Sequence, residues 1–161
     1  MRKLATATAA RRDVLLRGEH ELLSFATGGE LYAVRLSDAQ EIVVPPPITL
    51  VPRAPRAVAG VASVRGNLVT VVDLRLVLGL GADRSGRKGR LLLGRGPGEE
   101  LMALRIDEIH HVVRLSASQI ELGNVGMGGE SSEVVRGIGR PETGDVLVLL
   151  DMYTIFARGV R

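Results

Sequence analysis

The chain has 161 residues, of which 45% are hydrophobic: enough for a substantial core in one compact unit or in two small ones packed together. It contains no cysteine, which excludes disulfides and thiolate chemistry, and no apolar run approaching the roughly 20 residues of a membrane-spanning helix. The net charge of +3 rests almost wholly on arginine, so a basic nucleic-acid-binding small barrel is an alternative reading, although the arginines are spread among acids and four rings offer few platforms for bases.

In chain order, residues 1–20 are basic, lack the apolar segment of a signal peptide and read as a flexible tail on a cytoplasmic protein. Apolar residues with strand character follow, and Gly28-Gly29 marks a hairpin. The strand segment Glu30–Val43 (ELYAVRLSDAQEIV) ends before a stiff crossover containing Pro45, Pro46, Pro47, Pro52 and Pro55. Beyond it, Val64-Arg65-Gly66 leads into the apolar strand of VRGNLVTVVDLRLVLG. Asp73 then caps a short helix that stops at Gly79. Gly81–Gly89 is rich in glycine and charge and reads as a linker. Its phosphate-loop spacing is spurious, because an arginine stands where the lysine is required and no buried strand precedes it.

The same series then recurs. Gly96-Pro97-Gly98 marks a second hairpin, and Glu100–Val113 (ELMALRIDEIHHVV) matches Glu30–Val43 seventy positions earlier without a gap. Leu31 falls on Leu101, Ala33 on Ala103, Val34 on Leu104 and Arg35 on Arg105. Gly123–Gly129 reads as a flexible loop. Val135-Arg136-Gly137 is matched to Val64-Arg65-Gly66, a longer loop follows at Arg140–Asp145, and Asp151 caps a second short helix before Gly159. The reading is a mainly β fold of two pseudo-equivalent barrels with short helices: subdomain one over 21–80, linker 81–89, subdomain two over 90–158. Leu31 with Leu101, and Val34 with Leu104, are the expected buried counterparts.

No constellation of nucleophile, base or metal ligands emerges. Neighbouring His110 and His111 on a strand are expected to point to opposite faces and so not to share a metal. No cofactor is expected, and binding, not catalysis, is the default function.

The run from Arg53 to Arg75 (RAPRAVAGVASVRGNLVTVVDLR) resembles the CheW-like domain of bacterial chemotaxis coupling proteins, whose pattern is Gly-Val, then Asn-x-Arg-Gly, then an apolar strand with Pro-Val-x-Asp-Leu. Ala39-Gln40-Glu41-Ile42, Arg105-Ile106-Asp107, Leu115–Ile120, Val135–Gly139 and Leu149-Leu150-Asp151 extend the resemblance over about Glu21–Phe156. It implies two five-stranded SH3-like barrels in a non-enzymatic adaptor. The implied partners are the regulatory domain of a CheA-type histidine kinase and the cytoplasmic tip of a methyl-accepting receptor, with neither nucleic-acid binding nor membrane insertion. Glu41, Arg65 and Gly66 carry over as receptor-binding residues, and Ala39, Ile42, Gly60 and Val61 as kinase-binding residues. Glu41 and Arg65 are expected to form a partly exposed ion pair. Ser63 and Thr70 replace the family asparagine and proline, and Ala39 a usual valine. The first two are expected beside Arg65 and on the same strand, where a change would bear on the choice of partner or pathway.

Overall fold

The computed structural model describes residues 18–123 and 133–161; the tail before Gly18 and most of the expected Gly123–Gly129 loop lie outside the described residues. In chain order the elements are β1 (Glu19–Thr27), β2 (Glu30–Arg35), β3 (Glu41–Val43), β4 (Val58–Val64), β5 (Asn67–Asp73) and α1 (Leu74–Val77). After the segment 81–89 come β6 (Arg90–Arg95), β7 (Leu101–Ile106), β8 (Glu108–Ser116), β9 (Ile120–Leu122), β10 (Val135–Gly139), β11 (Leu147–Leu150) and α2 (Met152–Gly159). The mainly β class with short helices is therefore the observed one.

The strands form two sheets, ordered β8-β1-β2-β11-β10-β9 and β3-β6-β7-β5-β4. The two sequence halves follow the same series of elements, but they are not the sheet units, which corrects the expected division into 21–80 and 90–158. The β1–β2 hairpin of the first half lies in the sheet of the second, against β8 and β11. The β6–β7 hairpin of the second half lies in the sheet of the first, against β3 and β5. The halves exchange their leading hairpins, an intrachain version of domain swapping.

Side-chain alternation explains why the two sheets pack on each other. Leu91, Leu93, Val71 and Ala103 point into the concave core of the five-stranded sheet. Their neighbours Leu92, Val72, Met102 and Leu104 point the other way, into a core shared by both sheets. The six-stranded sheet does the same: Leu22, Ala33 and Leu149 face its own core, and Leu23, Tyr32, Val34 and Leu150 the shared one. Central strands buried on both faces read as continuous apolar runs. Leu74 and Val77 of α1 and Met152, Ile155 and Phe156 of α2 complete the shared core. Val34 and Leu104 are buried counterparts as expected, whereas Leu31 and Leu101 are only half-buried.

Ladder register corrects the second part of the repeat. Gly60 pairs with Val71, and Gly137 with Leu149, each just after a register shift in the pairing. A Cβ on Gly60 would lie 2.2 Å from the Thr49 carbonyl oxygen, and one on Gly137 would lie 2.2 Å from that of Glu121. Gly137 is thus the counterpart of Gly60, not of Gly66. The six-stranded sheet has its extra strand because β9 pairs with β10 as a ladder, whereas the counterpart at Thr49 makes only a single bridge to Val61.

The matched aspartates do cap helices. Asp73 accepts the Arg75 N–H at 3.0 Å and Asp151 the Tyr153 N–H at 3.2 Å. Asp107, at the point where the chain leaves one sheet for the other, accepts the Gly28 N–H at 2.9 Å and Arg75 Nη1 at 2.8 Å. Its carboxylate ties the β1–β2 turn to α1, and Arg87 of the 81–89 segment lies 3.6 Å away.

Two measurements test this architecture. Residues 18–80 and 81–161 produced separately should each lack a cooperative melting transition, and mixing them should restore it; cooperative unfolding of 18–80 alone would show that the hairpins need not exchange. Burial raises the Asp73 carboxyl above its ordinary pKa, against the lowering effects of the Arg75 N–H and the Arg105 guanidinium. Its protonated form therefore favours the folded state at low pH, and that contribution is lost as pH rises through the folded pKa. The melting temperature of Asp73→Asn minus that of wild type should climb with pH through the carboxylate range and then level off. A flat difference would remove burial as the dominant influence.

Candidate functional site

β3 and β4 are the opposite edges of the five-stranded sheet. Glu41 opens β3, where it was expected at the strand's end, and pairs with Leu93, whose side chain lies in the concave core. Its carboxylate therefore stands on the concave side, at the mouth of the curled sheet. Arg65 and Gly66 are the two central residues of the β4–β5 hairpin, closed by Val64 opposite Asn67. The guanidinium of Arg65 spans the mouth and pairs with Glu41, joining the two edges of the sheet. The Arg65 side chain is 75% exposed and that of Glu41 27%, so the expected partly exposed ion pair is present.

The turn holds Arg65 at φ +50° and Gly66 at φ +80°. A two-residue hairpin that matches strand twist requires positive φ at both positions, which favours Asn-Gly over Arg-Gly. A non-glycine residue held there is destabilised by about 1–3 kcal/mol. An exposed ion pair contributes only about 0.2–1 kcal/mol. Fold stability alone does not account for arginine at this position.

The four other expected residues do not form one open patch. Ile42, beside Glu41 on the opposite face of β3, is 42% exposed. Val61 is half-buried on β4, with its backbone bonded to Thr49 at 2.8 and 2.9 Å. Gly60 is buried beneath that crossover at φ +148° and is required there by close backbone approach. Ala39 is half-buried against the shared core. Leu68, two residues after Gly66 and 74% exposed, was missed by sequence reasoning, as was Leu50 on the crossover at 81%. Both sit in apolar runs where nothing local distinguishes an outward position from an inward one.

On the six-stranded sheet, Glu41 and Ile42 correspond to His111 and Val112, since β8 pairs with β1 as β3 pairs with β6. The histidines do not point to opposite faces. Ser24 stands opposite both at a β-bulge, bonded to the backbone of His111 at 2.7 and 3.2 Å, and two bulged residues share a side. Their rings stack with centroids 6.4 Å apart. Among the described residues no group of three potential metal ligands surrounds them.

A family model described as the CheW-like domain matches residues 21–159. The chain belongs to the CheW-like domain family. It is 32% identical over 101 residues to the chemotaxis protein CheW of Helicobacter pylori, a match spanning 63% of this chain and 61% of that protein. It is 30% identical over 124 residues to the chemotaxis protein CheW of Thermotoga maritima, spanning 76% and 81%. The crystal structure of the scaffolding protein TtCheW from Thermoanaerobacter tengcongensis superposes with a TM-score of 0.75 over 85% of this chain and 92% of that one; at 23% identity the likeness is one of fold.

The strained turn of this CheW-like domain yields a stability test. Arg65→Ala loses the ion pair and keeps a side chain at positive φ, while Arg65→Gly also loses the pair but relieves the backbone. Denaturant unfolding should find Arg65→Gly more stable than Arg65→Ala by about 1 kcal/mol. Equal stabilities would mean that the turn holds no strain.

Proposed function

We propose that this protein is a non-catalytic cytoplasmic adaptor that couples methyl-accepting chemoreceptors to a CheA-type histidine kinase. The observation that carries the reading is the CheW-like match over residues 21–159, nearly all of the folded chain. The names of the relatives, chemotaxis proteins and a scaffolding protein, point the same way.

Glu41, Arg65 and Gly66 form the proposed receptor-docking centre. Its support is a strained arginine exposed to solvent at the mouth of one sheet, in a conformation that contributes little to folding. Ile42 and Val61 are the proposed kinase-facing side chains, with Ala39 and Gly60 shaping the backbone beneath them. The nucleic-acid alternative loses ground because, among the described residues, arginines such as Arg65, Arg75, Arg105 and Arg136 are paired with carboxylates and so less available to phosphates. No helix among the described residues is long and apolar enough to cross a membrane.

The test separates docking from architecture. An arginine at the centre of an interface typically loses about 2 kcal/mol or more on truncation, roughly thirtyfold in affinity. Arg65→Ala and Glu41→Ala should lose receptor-tip binding on that scale in a direct titration while each melting temperature stays within a few degrees of wild type. The wild-type protein should hold a CheA-type regulatory fragment and a receptor tip at once. Melting temperatures that collapse in step with affinity, or mutual exclusion of the two partners, would overturn the assignment.

A further inference from the structure

The two curled sheets differ at their mouths. In the five-stranded sheet the β4–β5 turn is two residues long and Arg65 bridges it to Glu41. In the six-stranded sheet the corresponding β10–β11 connection is the longer loop 140–146, and among the described residues no ion pair joins it to β8. This mouth opens into a groove of about 920 Å³, floored by inward-facing residues such as Leu31 and Leu147 and walled by β8 and the loop.

The walls are acidic. Glu19, Glu108, Glu142 and Asp145 line the groove, and all four are exposed. Among the described residues the one lining arginine is Arg114, whose guanidinium lies 3.5 Å from Glu21. Glu19 is also the first residue of β1, so the chain preceding it enters the fold at the groove's own wall. Residues 1–17 carry Arg2, Lys3, Arg11, Arg12 and Arg17 against the single acid Asp13. The segment has the opposite charge to the groove and is tethered beside it.

We propose that the basic N-terminal segment, residues 1–17, docks in the acidic groove of the six-stranded sheet of its own chain. A short tether supplies an effective concentration of order millimolar, so even weak contacts fill the site for most of the time. The attraction is between exposed charges and is screened by salt. Any other protein approaching that edge competes with the segment for the same groove. The inference does not depend on the identity of the receptor or kinase.

Limited trypsin digestion of the full chain tests it, with loss of the N-terminal segment after Arg11, Arg12 or Arg17 followed by mass. The comparison is with Glu142→Gln/Asp145→Asn, two exposed loop positions, once its melting temperature matches that of wild type. A synthetic peptide of residues 1–17 corrects for the effect of salt on the protease. Cleavage rate reports the undocked population when docking and release are fast. At low salt the wild type should be cut about fivefold more slowly than the variant, given an intrachain site filled most of the time. The difference should vanish near about 0.5 M NaCl, where the screening length falls to a few ångströms. Equal rates at low salt would overturn the proposal. Protection that grows with protein concentration would also overturn it, since the groove would then hold the segment of a second copy.

Discussion

The constraint on which the rest depends is that the central strands must bury both faces. A strand such as β7 sends Ala103 into one core and Met102 and Leu104 into another. A lone curled sheet could cover its concave side, but its convex side would be left against water. The two sheets solve this together by pressing their convex sides on one shared core, which the helices seal. Hairpin exchange reinforces the arrangement, because each half supplies strands to both sheets and neither can leave without breaking ladder hydrogen bonds. Asp107 adds a polar tie at the crossing point, holding the β1–β2 turn of one sheet to α1 at the end of the other.

With the convex faces spent on each other, the outer edges and mouths are what remains for contact with partners. The proposed docking residues fall there: Glu41 and Ile42 on one edge strand, Val61 on the opposite edge, and Arg65 in the β4–β5 turn. The two mouths share a topology and carry different chemistry. One is bridged by an acid and an arginine. The other puts a stacked histidine pair and an acidic loop around an open groove. The same frame occurs twice, with different surfaces at its two mouths.

Much of this was legible in the sequence, for reasons that can be traced to residues. Glu30–Val43 and Glu100–Val113 are gapless copies because β2 and β7 occupy equivalent central places, each between an antiparallel and a parallel neighbour, with Ala33 and Ala103 facing the concave cores. The capping aspartates were visible because a helix start leaves a local signature. The choice of hairpin partner was not visible, since pairing β1 with β8 satisfies the same alternation as pairing within one half, and only the three-dimensional fit of the shared core decides. Val-Arg-Gly misled at residue 135: the true counterpart of Gly137 is fixed by a register shift and a nearby carbonyl, neither of which marks the sequence. The bulge that turns His110 and His111 to one side is equally silent. The Glu41–Arg65 pair came from family resemblance, because twenty-odd intervening residues conceal that two opposite edges meet.

Hairpin exchange also bears on how the protein is made. Tyr32 of β2 finds its ladder partner in Val148, more than 100 residues later in the chain. At ribosomal elongation rates of about 5–20 residues per second, the first hairpin waits roughly 5–20 s for its second neighbour. During that time Leu23, Phe25, Tyr32 and Val34, all buried in the finished molecule, have no shared core to enter. Nascent chains therefore carry an adhesive, half-satisfied hairpin through most of synthesis, and in crowded polysomes the nearest complementary strands belong to neighbouring chains. The topology that interlocks the folded protein also leaves its first hairpin without a second neighbour until the last strand has been made.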